Sequence, residues 1–417
     1  MQLKRVVVTG LGAITPLGNN VQDYWTNLIN GVSGAANITR FDASKFKTRF
    51  ACEVKGFNLD DYFDKKEARK LDAFCHYGIA ASVQAVADSG IDQPGIDKNE
   101  VGVIWGSGIG GLDTFQTETF AFAKGDGTPR FNPFFIPKMI ADICSGHISM
   151  RFGLRGPNFT TVSACASSTS ALIDAFTYIR LGKANAIVSG GSEAAINESG
   201  IGGFNSAQAM STRNDDPTRA SRPYDKTRDG FVLGEGGVAL ILEELEHAKA
   251  RGAKIYAEVI GGGMSADAHH ITAPHPEGLG ATLVMQRALR DSGITADVVD
   301  YINTHGTSTP LGDGAELKAI VNVFGEQAYK MNISSTKSMT GHLLGAAGAI
   351  EGLATVLAIK NGIVPPTINF ETPDPDIDQK LNLTVNKAQT RNIDVAISNT
   401  FGFGGHNAAV VFRKYNP

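Results

Sequence analysis

Two stretches of this chain repeat the same succession of elements, and that repetition constrains the fold more than any single motif. Val6–Thr9 is a β-branched run into a turn at Gly10, and Lys254–Gly261 is a second strand of the same kind. Val101–Trp105 leads into Ser107-Gly108-Ile109-Gly110-Gly111, and Val395–Asn399 leads into Phe401-Gly402-Phe403-Gly404-Gly405. Each half also opens a helix from a small-residue loop, at Cys165 and at Gly341-His342. A helix predicted over Leu242–Ala250 is followed by the basic, glycine-containing stretch Lys249–Lys254. That stretch marks a boundary between halves 1–252 and 253–417. Further helices are predicted over Leu311–Val323 and Leu344–Lys360, the second stopping at Gly362. Strands alternating with helices predict α/β layers around buried sheets, with the chemistry at the carboxyl ends of strands.

At 417 residues the chain exceeds one ordinary core, which agrees with two halves. A net charge of −4 argues against a general nucleic-acid binder, because phosphate affinity needs a basic surface. Cys52, Cys75, Cys144 and Cys165 are scattered and form no C-x-x-C pair. That excludes a disulfide framework or structural zinc site and points to a reducing, cytoplasmic setting. The start reads as a first strand rather than a signal peptide, since Gly10, Gly12 and Pro16 interrupt any apolar helix. Gly156–Ile173 carries no charge, but its Ser, Thr and Asn content makes it no membrane helix.

Cys165 sits in Val162-Ser163-Ala164-Cys165-Ala166-Ser167-Ser168, between the run Phe159–Val162 and an amphipathic pattern through Leu172, Ala175, Phe176 and Ile179. This reads as strand, sharp turn and helix, with a thiol at the helix N-terminus. Free N–H groups and the positive end of the helix dipole there favour a thiolate. A lone cysteine is more often a small buried hydrophobe. Its company decides otherwise.

Asn303-Thr304-His305-Gly306-Thr307-Ser308-Thr309-Pro310 follows the strand predicted over Val298–Ile302. A histidine in such a loop has little to pack against, and sites concentrate on loops held by a scaffold. Ser334–His342 places Lys337 and His342 in a second small-polar loop. Alone, that lysine would read as surface and that histidine as a cap. Glu351 lies in the following Gly- and Ala-rich helix, where a close-packed carboxylate needs a partner, for which Lys337 is the candidate. In Asn399–Asn407 the glycines let backbone approach a ligand. One amide there, with that of Cys165, would form an oxyanion hole, and Phe401 on its glycine hinge would gate a pocket.

Two lookalikes fail. Gly106-x-Gly108-x-x-Gly111 matches a dinucleotide fingerprint, but no clean βαβ unit with an acidic ribose ligand follows. His269-His270 with His275 lacks a standard metal-ligand spacing, and no metal is expected.

One thiol and two imidazoles suggest carbon–carbon bond formation on thioesters. Acyl transfer loads Cys165. Decarboxylation of a malonyl thioester then supplies a carbanion equivalent, and two imidazole donors stabilise the enolate oxygen. A hydrolase would instead need an admitted water and a carboxylate or Asn orienting one histidine.

These residues carry a family resemblance. The chain resembles the β-ketoacyl-[acyl-carrier-protein] synthases, most closely the type II elongating enzymes of bacterial fatty-acid synthesis. The matching segments are Val7–Gly12, Ser221–Phe231, Asn303–Pro310, Ser335–Gly348 and Phe401–Gly405. The resemblance implies a thiolase-like fold, two similar α/β halves stacked in five α-β-α-β-α layers, and a homodimer. It implies an acyltransferase that extends an acyl chain on Cys165 by two carbons, with His305 and His342 as the decarboxylation pair. Lys337 and Glu351 match a supporting ion pair, and Phe401 matches the gate whose amide joins that of Cys165. Thr307 and Thr309 match residues touching phosphopantetheine, and Ile109 matches the acyl-pocket residue that tunes chain length. No cofactor is required, because phosphopantetheine arrives on acyl carrier protein; a structural monovalent cation is compatible with the family. Lys65, Lys66, Arg69 and Lys70 match a basic helix that docks the acidic carrier protein. Competing readings are a noncatalytic chain-length subunit of the same fold, and a hydrolase or thiolase. The last is disfavoured because no cysteine follows Cys165.

Overall fold

The computed structural model describes residues 3–417. Its ten main strands form one sheet: β1 (Val6–Ile14), β2 (Val101–Gly106), β3 (Asn158–Thr161), β4 (Ala186–Glu193), β5 (Gly236–Glu244), β6 (Ala257–Ala266), β7 (Tyr301–Asn303), β8 (Asn332–Ser334), β9 (Val395–Gly402) and β10 (His406–Arg413). Their order is β8-β7-β9-β10-β6-β1-β5-β4-β2-β3. Read outward from the centre, each half follows one rule. Its first strand pairs antiparallel with its fifth, the fifth antiparallel with its fourth, the fourth parallel with its second, and the second parallel with its third. The halves meet where Val6–Val8 of β1 pair antiparallel with Ala257–Val259 of β6.

The helices that matter here are α1 (Lys65–Ala68), α2 (Ala73–Ser89), α3 (Leu112–Lys124), α4 (Ile143–Phe152), α5 (Ser167–Arg180), α6 (Leu279–Ser292), α7 (Gly312–Phe324) and α8 (Ala347–Asn361). They complete five layers. On one outside, Phe74, Ala81 and Ala85 of α2 pack on Ile14, Val103, Val188 and Ile241. On the other, Val284 of α6 and Leu317 and Ile320 of α7 pack on Ile302, Ile397 and Val411. Between the two half-sheets lie α5 and α8, with Leu172, Phe176, Leu353 and Val356 against Val8, Ile104, Val238 and Phe412. Thirteen of the fifteen residues of α8 are buried, as expected for a helix with apolar neighbours all round.

Glycine sets the layer spacing. A Cβ on Gly10 or Gly12 of β1 would run into the carbonyl oxygens of Ala85 and Ala81 on α2. A Cβ on Gly261 or Gly263 of β6 would meet the backbone of Ser292 or Val284 on α6. The two strands therefore make the same close approach to the outer helix of their own half.

Several element ends differ from the sequence expectation. Leu242–Glu244 belongs to β5, every residue of which is buried, so the helix begins only at Leu245. β7 begins at Tyr301, after a 3-10 turn over Ala296–Val298. Leu344–Ala346 is likewise a 3-10 turn, and α8 starts at Ala347. No helix among the described residues is long and apolar enough to cross a membrane.

Candidate active site

Cys165 lies on a sharp bend between β3 and α5. Ala164, just before it, has φ +50°, a left-handed conformation strained for a residue with a side chain. Ser167 holds the bend: its hydroxyl donates to Ala164 O at 2.7 Å and accepts from the Ser163 N–H at 2.9 Å. Cys165 is only 8 % exposed.

The other half delivers both histidines to this sulfur. His305 follows β7, where its own N–H and that of Gly306 donate to the Glu316 carboxylate at 2.9 and 2.8 Å. His342 follows the one-turn helix Lys337–Thr340, and its N–H donates to Val232 O at 2.7 Å. The Sγ of Cys165 and one ring nitrogen of each histidine lie within 4.8 Å of one another. His342 Nε2 is 3.0 Å from Sγ, and the two imidazoles meet edge to face at 5.2 Å. Lys337 and Glu351, both buried, are hydrogen-bonded as an ion pair.

The electrostatics follow from enclosure. Burial, then the Lys337 charge, holds His305 well below its ordinary pKa, with His342 adding to the effect; burial and then Lys337 do the same to His342. Both rings are therefore neutral. Neither Nδ1 has a protein partner, so no acceptor pins the proton there and the Nε2–H tautomer is free to form. Burial pushes the Cys165 thiol up to about 11, against the Phe403 N–H and the Lys337 charge, which pull it down. The expectation of a resting thiolate thus needs correction. The first turn of α5 begins at Ser167, beyond the cysteine, and desolvation outweighs the stabilising charges.

A cavity of about 670 Å³ opens above these groups, with Cys165, His305 and His342 in its wall. Ile109, Thr307, Thr309 and Phe401 line it as well. The Phe401 ring lines the cavity and packs 5.8 Å from His305, but the backbone amide expected from Phe401 comes from Phe403. Phe401 is still inside β9, in register with Asn407 of β10, whereas Phe403 sits on the turn beyond the ladder. It is the Phe403 N–H that points at the Cys165 sulfur. Its ring packs 6.4 Å from Phe204, another wall residue. The sequence signal for Phe403 was present, since the loop carries two phenylalanines two apart; nothing local distinguished them. Glu316 and Glu193 were missed outright, because each acts through backbone amides remote in sequence.

Lys65, Lys66, Arg69 and Lys70 are exposed, and Asp64 caps α1 by accepting from the Lys66 and Glu67 N–H groups. The helix is a single turn, so Arg69 and Lys70 lie just past its end; Lys70 Nζ stands 5.5 Å over the Phe134 ring.

Several buried oxygens near Glu351 have no protein partner. Asn303 Oδ1, Glu351 Oε2, Ser398 Oγ and Asn399 Oδ1 are buried without partners, and Ser398 is the cross-strand neighbour of Asn303. Unpartnered buried oxygens are costly, and an all-oxygen set suits a hard cation.

The β-ketoacyl synthase family models match both halves, the N-terminal domain over residues 3–248 and the C-terminal domain over 256–371, and the chain belongs to this family. It is 52% identical over 416 residues to the 3-oxoacyl-[acyl-carrier-protein] synthase 2 of Synechocystis sp., covering 100% of this chain and 99% of that one. The Vibrio harveyi protein of the same description is 49% identical over 415 residues, 99% of each chain. Among solved structures, a β-ketoacyl synthase from Burkholderia phymatum superposes with TM-score 0.92 at 35% identity, covering 99% of this chain and 100% of that one. A type II polyketide ketosynthase in complex with its acyl-carrier protein gives TM-score 0.88 at 32% identity, with full coverage of both.

Proposed function

We propose that this protein is a 3-oxoacyl-[acyl-carrier-protein] synthase that lengthens fatty acyl chains by two carbons through decarboxylative condensation with a malonyl thioester. The observation that carries the reading is the convergence of one sulfur and two neutral imidazoles within 4.8 Å in one cavity wall. The half 1–252 supplies the nucleophile and 253–417 both histidines. In the first stage Cys165 Sγ attacks the acyl thioester carbonyl, the N–H groups of Cys165 and Phe403 receive the oxyanion, and the cysteine proton ends on the departing pantetheine thiol. The His342 Nε2–H, 3.0 Å from Sγ, can hydrogen-bond the sulfur while negative charge develops on it.

In the second stage a malonyl thioester enters. Its C–CO₂ bond breaks, and the electron pair becomes an enolate whose oxygen receives N–H bonds from His305 and His342. The enolate carbon attacks the acyl carbonyl on Cys165, and the sulfur leaves with its bonding pair and takes up one proton from solvent to restore the thiol. Each preorganised donor at such an oxygen is typically worth about 10²–10³ in rate. Neutral imidazoles suit this role; burial first and the Lys337 charge second hold them so, and that charge is itself balanced by Glu351. A chain-length subunit without activity would have no use for all five groups.

Carrier protein brings both substrates. The exposed basic side chains at 65, 66, 69 and 70 supply the complementary charge for an acidic carrier, and Thr307 and Thr309 line the route of the pantetheine arm. A monovalent cation held by Asn303, Glu351, Ser398 and Asn399 would offset the Glu351 charge. Two copies would associate along β3, an edge strand followed by Val162 at 61% exposure. A monomer mass in sedimentation equilibrium would reject that. A reducing cytoplasm suits four free, buried cysteines. Incubation with acyl carrier thioesters followed by digestion tests the main reading. An acyl mass on the Cys165 peptide is expected, and an adduct on any other residue rejects the assignment.

A further inference from the structure

Glu193, the last residue of β4, is completely buried, and no ion pair to it is formed among the described residues. Backbone and hydroxyl groups solvate it instead. Oε2 accepts from the N–H groups of Gly108 at 2.8 Å and Gly345 at 2.9 Å. Oε1 accepts from the Ser107 hydroxyl and the Ile109 N–H, both at 3.2 Å, and from the Gly110 N–H at 3.3 Å. One carboxylate therefore ties together two loops from different halves. The first carries Ile109, in the cavity wall. The second runs from His342 through Leu344, which also lines the cavity and has φ +49°.

The loops touch across this carboxylate. A Cβ on Gly345 would run into Gly108 N and come within 2.6 Å of Glu193 Oε2; a Cβ on Gly108 would come within 2.9 Å of the same oxygen. Five donors and no buried cation make an assembly that only an acceptor-only group satisfies, which is what a carboxylate is. A buried charge is costly unless hydrogen bonds replace its lost water, and here all five come from the two loops it joins.

We propose that Glu193 is a positioning residue that sets the spacing between the acyl-pocket wall at Ile109 and the His342 segment, and thereby the acyl-chain length the enzyme accepts. The proposal rests on the condensing reading above. A glutamine of equal volume has one acceptor oxygen. Its NH₂ must face N–H donors either at Gly108 and Gly345 or at Ile109 and Gly110, so one loop is released while the shape is kept.

The test compares wild type with Glu193→Gln. Loading of Cys165 is timed over a ladder of saturated acyl-carrier thioesters from short to long. Backbone amide exchange is read at Gly108–Gly110 and Gly345 without substrate. Expected are faster exchange in at least one of the two loops and a change of about tenfold in the long-to-short loading ratio, in favour of longer chains, the size set by losing a hydrogen bond to a charged group. An equal fall at every chain length means a merely structural role and overturns the proposal, as does unchanged exchange. Should Glu193→Gln not fold, Ser107→Ala, which drops one donor to Oε1, must shift the ratio in the same direction; a flat profile refutes the idea. Wild-type loading of Cys165 tests the condensing reading separately, and the exchange measurement stands without it.

Discussion

Replacing Lys337 by methionine removes a buried charge and keeps most of the side-chain volume. Lys337 and Glu351 are each 1% exposed, so neither is screened by solvent. Deleting one member of a buried ion pair typically costs about 3–5 kcal/mol, because the other charge stays uncompensated. Glu351 can escape part of this by taking a proton. Burial already raises its pKa from the ordinary 4.5 to about 7, with Lys337 pulling it back down; without Lys337 it must rise further. A carboxyl raised in the folded state contributes stability that is fully present below the unfolded pKa and is lost as pH rises through the folded one. For wild type that window runs from 4.5 to about 7, and the variant extends it upward. The deficit of Lys337→Met should therefore be larger at about pH 8 than at about pH 6. Urea unfolding at fixed protein concentration reads both values. Adding Glu351→Leu should recover most of the loss, leaving the double variant within about 1 kcal/mol of wild type. A single-variant loss below about 1 kcal/mol, or a double variant no better than the single, would refute the reasoning.

The same substitution has a kinetic signature. The Lys337 charge depresses both histidines, so removing it raises their pKa values and lets imidazolium form at higher pH. The acidic limb of malonyl decarboxylation should move to higher pH, and an unmoved limb would detach Lys337 from the histidines. Alkylation of Cys165 by a neutral haloacetamide should rise about tenfold per pH unit up to about pH 9, because the thiol titrates near 11; a plateau below about pH 8 contradicts this. Gly402→Ala would place a Cβ 2.9 Å from Ser163 O and 3.0 Å from Cys165 N, so acylation should fall at least tenfold in a folded protein; full activity would show that this approach does not matter. Lys65→Glu with Arg69→Glu should weaken carrier binding and flatten its salt dependence, read by titration calorimetry at two ionic strengths; unchanged affinity removes the docking surface. Potassium should raise the unfolding midpoint over tetramethylammonium at equal ionic strength, and Asn399→Ala should erase the difference. Equal midpoints in wild type would reject the cation.

Legibility in the sequence followed the range of each interaction. The repeat was visible because β1 and β6 each announce a glycine strand packed on a helix, and the two half-sheets have one strand order. His305 stood out because its loop gives a histidine little to pack against, whereas Cys165 and His342 gained meaning only in its company. Their meeting was an inference from chemistry, since the three come from elements up to 177 positions apart. Phe401 and Phe403 could not be separated, because where a strand ladder ends is decided by its partner, here Asn407 opposite Phe401. The thiol's protonation state was misread for a related reason. Helix polarity is written locally, whereas desolvation depends on everything that closes over the sulfur.

The rejected dinucleotide motif shows why a glycine loop alone does not name a ligand. Gly106-x-Gly108-x-x-Gly111 does present N–H groups from a strand end, as a phosphate site would. Here the anion is built into the protein, because Glu193 takes the amides of residues 108, 109 and 110. The second loop held by that carboxylate, at Gly345, is three residues from His342. An internal anion differs from a bound one in that it never leaves, so the distance between acyl wall and imidazole is fixed before any substrate arrives. Fixing it beforehand is what the two-stage chemistry requires: the acyl chain must stay seated on Cys165 while a second thioester enters and its enolate oxygen finds both histidines.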